Sequence, residues 1–207
     1  MLPPLNAWRR RSRFAASTRF CLSILAAAVT FSLAATPAFA QLEGPAVSTG
    51  YDYGTQVAYN PATHFAYVSN WDDDGATSIT QIDTITGVGT TIALCSGASA
   101  PLGIAVNPVT NMVYTANFGA GAGTSVSVFT GATDVNGTIT NAACEANITG
   151  LAAAPDIVAV NPVTNVIYAA SYSAGAVTAI NGANNTVINT VTGLTASSIR
   201  AVARLPL

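Results

Sequence analysis

The chain is 207 residues long, 50% hydrophobic and 8% charged, and none of its basic residues is a lysine. Five of the seven arginines fall within the first 19 positions, so residues 41–207 carry two arginines against nine carboxylates, a net charge of −7. That balance excludes a nucleic-acid binder, whose phosphates need basic patches, and electrostatic docking on anionic lipid. The apolar content excludes a disordered tail.

Residues 1–40 read as a secretory signal peptide. Arg9, Arg10, Arg11, Arg13 and Arg19 form a basic n-region, Phe20 to Ala35 is an unbroken apolar run, and Ala38-Phe39-Ala40 is the small-x-small pattern that a signal peptidase cuts. Cleavage is expected after Ala40. A spanning helix wants about twenty apolar residues, and this run stops at Pro37, so no membrane span is expected once the signal is removed. Cys21 opens the apolar run and does not close it, which argues against a lipoprotein site. The expected location is secreted, periplasmic or at the cell surface.

Residues 41–207 are enough for one domain with its own core. Within them one phrase is written three times: "VAYNPATHFAYVSN" at 57–70, "IAVNPVTNMVYTAN" at 104–117 and "IVAVNPVTNVIYAAS" at 157–171. The pairs Asn60-Pro61, Asn107-Pro108 and Asn161-Pro162 are spaced by 47 and 54 residues, a period that points to a propeller or a solenoid. Each phrase reads as strand, turn, strand. Proline sets φ for a turn's second position, and the asparagine side chain bonds its own backbone two residues on. A third strand follows in "TSITQIDT", "TSVSVFTGA" and "GAVTAING", which alternate small polar and apolar residues at period two. A fourth is expected in "GTTIAL", "GTITNAA" and "NTVINTV". No helical periodicity follows the signal segment, which excludes a helical solenoid.

The expected fold is therefore all-β, about three four-stranded antiparallel propeller blades, at about 51–97, 101–151 and 155–195. Residues 196–207 read as a truncated fourth strand set that holds Arg200 and Arg204, the two remaining basic residues. Closed propellers usually have four to eight blades. A three-blade array either pairs with copies of itself to close a ring or is the remnant of a longer propeller, and the ragged tail favours the second.

These units resemble the YVTN-type β-propeller repeat family. The tetrapeptide is carried as Tyr67-Val68-Ser69-Asn70, Tyr114-Thr115-Ala116-Asn117 and Tyr168-Ala169-Ala170-Ser171, and the last copy departs by losing its asparagine. The resemblance covers about residues 45–200. It implies an exported, surface-associated propeller whose repeated phrase is a folding device, because no blade can bury both faces alone.

Few residues suggest chemistry. His64, the only histidine, occupies the column filled by Asn111 and Asn165, so it reads as a turn residue in a left-handed slot. Asp72, Asp73 and Asp74 follow Trp71 in a loop, and they are weak candidates for a cation site, since calcium loops space their ligands at alternate positions. "FGAGAGTS" at 118–125 lacks the following helix that a phosphate loop needs. Cys95 and Cys144 are an even pair in an exported chain, either bonded or small apolar fillers; they fall at roughly corresponding places in successive repeats, which are often too far apart to bridge. No catalytic residue, cofactor or firm metal site is expected. The expected function is a non-enzymatic binding or cell-surface module whose partner is a protein, a surface glycan or a second copy. The alternative is a fragment of a lactonase-like or quinoprotein-dehydrogenase-like propeller enzyme.

Overall fold

The computed structural model describes residues 53–71 and 75–195. The signal segment with its cleavage site at Ala40, the Asp72–Asp74 triplet and the 196–207 tail lie outside the described residues. Blade 1 is a meander of β1 (Tyr53–Asn60), β2 (Phe65–Trp71), β3 (Ser78–Asp83) and β4 (Gly89–Ala93), each strand antiparallel to the next. Blade 2 is built from β5 (Pro101–Asn107), β6 (Met112–Asn117) and β7 (Ser125–Thr130), with a further hairpin, β8 (Thr133–Val135) and β9 (Thr138–Thr140), inserted before its outer strand β10 (Ala143–Ile148). Blade 3 repeats the meander in β11 (Ile157–Asn161), β12 (Val166–Ser171), β13 (Ala176–Asn181) and β14 (Thr186–Val191). Among the described residues the one helical element is a single 3-10 turn, Gly119–Gly121, and no helix is long and apolar enough to cross a membrane.

One expected strand is corrected. The fourth strand of blade 2 is β10, and "GTITNAA" instead supplies β9 and the link that follows it. Asn136 and Gly137 both take positive φ, 55° and 80°. That is the requirement of a two-residue hairpin turn whose twist matches its flanking strands. The Asp134 carboxylate accepts a hydrogen bond from the Gly137 N–H at 2.8 Å and closes the loop. The connection from β7 to β10 occupies residues 131–142, where blade 1 uses residues 84–88. This inserted hairpin accounts for the whole excess of the second repeat spacing over the first.

The core lies between blades. Successive side chains of a strand point to opposite faces, so each blade has one apolar face toward its predecessor and one toward its successor. Phe65, Tyr67, Ile79 and Ile92 of blade 1 pack on Ile104, Val113 and Phe129 of blade 2. Tyr114, Ala116, Val126 and Val128 of blade 2 pack on Val158, Ile167, Ala169 and Ile180 of blade 3. Each fully buried side chain of this kind contributes about 1.5–3 kcal/mol, and neither blade collects it without its neighbour.

A covalent link reinforces the first seam. Cys95 and Cys144 are joined, with Cα atoms 5.3 Å apart. They are not equivalent points of two blades, which removes the objection from distance: Cys95 lies in the segment leaving β4, and Cys144 sits within β10, beside the irregularity between Cys144 and Ala146. The chain leaving blade 1 crosses onto the outer strand of blade 2, where Asn147 Nδ2 also donates to Ser96 O at 3.2 Å. The closed loop has a sequence separation of 49, for which chain-entropy reasoning gives about 4 kcal/mol, and measured disulfides typically give about 2–4. The paired variant Cys95→Ser/Cys144→Ser is expected to unfold at a urea midpoint corresponding to a loss of about 2–4 kcal/mol, with near-native circular dichroism at zero urea.

Candidate functional site

The repeated Asn-Pro turns hold the blades together. Asn60, Asn107 and Asn161 each accept, through Oδ1, the backbone N–H two residues on, Ala62, Val109 and Val163, at 3.0 Å. The turn ends in a left-handed residue: His64, Asn111 and Asn165 have φ of 63°, 53° and 52°. Asparagine and histidine tolerate that region better than other non-glycine residues. In the first two blades the same asparagine also reaches the next blade. Asn60 Nδ2 donates to Asn111 Oδ1 at 2.7 Å, and Asn107 Nδ2 donates to Asn165 Oδ1 at 2.8 Å. Both donor asparagines are fully buried. The acceptor needs room. A side chain at Gly131 or Gly182 would collide with the amide of Asn111 or Asn165, whereas blade 1, which has histidine in the slot, places Thr84 there, with its hydroxyl donating to His64 O at 2.6 Å.

The asparagine that ends the tetrapeptide has a separate task. Asn70 Nδ2 donates to Ser78 Oγ and Thr80 Oγ1, both at 3.1 Å, and Asn117 Nδ2 donates to Ser125 Oγ and Ser127 Oγ, both at 3.0 Å. It ties β2 to β3, or β6 to β7, inside the blade. In blade 3 the asparagine is Ser171, which bonds Ala152 O at 3.2 Å instead. One of its two hydroxyl partners is also gone, since Ala176 stands where blades 1 and 2 have Ser78 and Ser125; the other, Thr178, pairs with the Thr190 hydroxyl instead, at 3.1 Å.

The two seams differ in polarity. Between blades 1 and 2, Ile104 N donates to Gln56 Oε1 (2.7 Å), Ala142 N to Gln81 Oε1 (2.7 Å) and Ala132 N to the Tyr67 hydroxyl (2.7 Å), while Ser69 Oγ donates to Leu102 O (2.8 Å). Blade 2 carries Gly103, Val128 and Ala116 where blade 1 has Gln56, Gln81 and Ser69. Its tyrosine, Tyr114, is fully buried, and its hydroxyl has no hydrogen-bond partner. The corresponding backbone donor, Ala183 N, is taken by Asn181 Oδ1 at 2.9 Å.

Two cavities mark where a ligand could sit. One, of about 340 Å³, lies under the inserted hairpin and is lined by His64, Phe65, Asp83, Ile85, Asp134 and Val135 among others. Its carboxylates are occupied. The Thr86 hydroxyl, donating to Asp83 Oδ2 at 2.6 Å, and the Ile85 N–H at 2.9 Å hold the Asp83 carboxyl below its usual range, and Asp134 closes the hairpin turn. His64 Nδ1 lies 3.4 Å from the Tyr59 hydroxyl. Among the described residues no three histidine, cysteine or acidic side chains are grouped to hold a metal. The other cavity, about 270 Å³, opens among the loops at the opposite ends of the strands. Its polar lining is neutral: Ser99, Asn117, Thr124, Ser125, Asn147 and Thr149. Asn147 Oδ1 itself has no accessible surface and, among the described residues, no hydrogen-bond partner, while Nδ2 is held by Ser96 O.

No protein-family model matches the chain, and no curated protein is similar to it in sequence. Solved structures are. The chain is similar to hydrazine synthase of Kuenenia stuttgartiensis, with a TM-score of 0.54 at 19% identity over 73% of this chain and 39% of that one. It also matches a chain of a nidogen/laminin complex, with a TM-score of 0.48 at 15% identity over 69% and 49% of the two chains. This chain thus spans well under two thirds of either. With the blades described above, the likeness gives an all-β fold of propeller type.

Two predictions test the seam. Asn107→Ala should cost about 2–3 kcal/mol in urea unfolding, because it removes the turn cap and strands Asn165 Oδ1. Asn107→Asp keeps the acceptor for Val109 N but faces Asn165 Oδ1 with a carboxylate, so its deficit should shrink at acidic pH, where a protonated Asp can donate. Burial pushes both the Tyr67 and Tyr114 hydroxyls up to about 12. An acid whose folded value is raised contributes stability that is intact below its ordinary value near 10 and is lost as pH rises toward the folded value. Stability should therefore fall between about pH 10 and 12, and less so in Tyr114→Phe. At neutral pH Tyr67→Phe should cost about 1–3 kcal/mol by stranding Ala132 N–H, while Tyr114→Phe should cost less than Tyr67→Phe.

Proposed function

We propose that this chain is an exported, non-enzymatic binding module of the YVTN-type repeat class, acting at the cell surface, with a neutral polyhydroxylated ligand such as a surface glycan as its partner. The signal-like segment at 1–40 supports export, and the tetrapeptides with their Asn-Pro turns support the repeat class. The observation that carries the binding role is the neutral cavity of about 270 Å³ bordered by hydroxyls and amides, with the Asn147 side chain in its lining. Alternating donors and acceptors without charge match a sugar and discriminate against phosphate or carboxylate.

The remaining polar groups are committed to structure. Asn60, Asn107, Asn70, Asn117 and Asp83 all hold turns, strands or blades; in the loop-side cavity Asn117 bonds Ser125, which leaves the hydroxyls of Ser99, Thr124 and Thr149 as the groups there that could meet a ligand. Purified chain applied to an array of neutral and charged glycans should be retained on neutral ones, and Asn147→Ala should weaken retention at least tenfold. Absence of retention on every neutral glycan at millimolar concentration would overturn the reading. Lactone hydrolysis that falls in His64→Asn would favour the enzymatic alternative.

A further inference from the structure

The two internal seams share the amide contact of Asn60 with Asn111 and of Asn107 with Asn165, and among the described residues the faces of blades 1 and 3 that turn away from blade 2 present its two unmatched halves. The residues of blade 1 that face away from blade 2 include Val57 and Tyr59, which are 64% and 50% exposed; of their equivalents in the next blades, Ile104, Val158 and Val160 are 3%, 4% and 5% exposed, and Val106 is half-buried. At the other end, Asn161 occupies the position of the buried Asn60 and Asn107 but is only partly buried. Its Oδ1 caps its own turn through Val163 N and Thr164 N at 3.0 and 3.2 Å. Its Nδ2, the atom that in the other two blades reaches across to the next turn, makes no such bond. Tyr168 is likewise half-buried where Tyr67 and Tyr114 are fully buried, and Val166, Val177 and Ala179 beside it are half-buried too.

We propose that these faces belong to one interface, in which blade 3 of one copy seats against blade 1 of a second copy in the manner of the internal seams. Two copies joined head to tail through two such contacts make a six-blade ring. The occupant is specified by the repeat itself. A surface that twice accepts the first two strands of a following blade has the shape, spacing and apolar pattern for another blade of this kind, and blade 1 is the one whose receiving face is exposed. The polar halves also match. Asn161 supplies the amide donor, and His64 stands in the left-handed acceptor slot, where Asn111 and Asn165 receive Asn60 and Asn107. A neutral imidazole nitrogen accepts a hydrogen bond as an amide oxygen does. No charged pair is required, in keeping with seams that use amides and hydroxyls throughout. The contact is heterologous, so a ring forms only if the rotation between blades carries it round to its own start. Six blades fall within the ordinary range of closed propellers. This inference is independent of the glycan reading.

The test is the solution mass of the protein purified after expression of all 207 residues, measured by sedimentation equilibrium across a concentration series. The expected species is twice the mass of the purified chain. Val57→Glu and Val177→Lys each place a charge in the interface and leave the internal seams untouched; each alone should raise the dissociation constant at least tenfold with circular dichroism unchanged. Mixed together they should restore a dimer, since one of its two contacts then pairs Glu with Lys and the other is unaltered. Wild-type protein that is folded and monomeric at 100 µM would overturn the proposal. So would a dimer indifferent to Val57→Glu, or an open series of larger species, which would break the two-copy ring.

Discussion

The interaction on which the rest depends is the asparagine amide at the end of each first strand. With one side chain it closes its own turn through Oδ1 and reaches the neighbouring blade through Nδ2. Asn60 and Asn107 do both. An amide suits this because it carries an acceptor and a donor on one rigid plane; a carboxylate could close the turn but not donate, and a hydroxyl is too short to span the gap. The described residues include neither lysine nor arginine, so the polar cohesion of the blades is hydrogen bonding between neutral groups. In a dry seam that is a favourable choice, since neutral amides cost far less to desolvate than ions.

The shared backbone plan admits two kinds of seam. Between blades 1 and 2 the fit is polar and covalent, with Gln56, Ser69, Tyr67 and Gln81 bonding the main chain of the next blade and Cys95 joined to Cys144. Between blades 2 and 3 smaller residues let the backbones approach. At Gly103 a side chain would run into Asp156 O and the backbone of Ile157. The second seam gives up directional bonds for close packing, and the buried Tyr114 hydroxyl without a partner is a cost of that exchange. Each blade's identity is thus set by what its neighbour offers.

Function, on this view, is confined to what the repeat does not need. His64 and Asp83 look chemical in isolation, yet one holds a left-handed turn and the other caps the connection to β4. The inserted hairpin and the loop-side cavity are the departures that stacking does not explain. A fold of propeller type carries no activity with it, so any activity or partner has to be sought in the chemistry of those loops.

By itself the sequence determined the three repeats of the described residues, the first three strands of each, and the turn chemistry of Asn60-Pro61, Asn107-Pro108 and Asn161-Pro162. These rest on local causes: period-two alternation, proline's fixed φ, and the tolerance of Asn and His for left-handed backbone. It also contained the inserted hairpin, in the adjacent Asn136 and Gly137, but the alternating pattern around them was equally that of a fourth strand, and local sequence does not say which strand a segment will pair with. Only the tertiary structure decided that Asn60 meets Asn111, that Cys95 reaches Cys144, and that Gln81 and Tyr67 hold the next blade's backbone. These contacts join residues some fifty or more positions apart, and their partners are chosen by how one sheet stacks on another, a geometry that no short stretch of chain encodes.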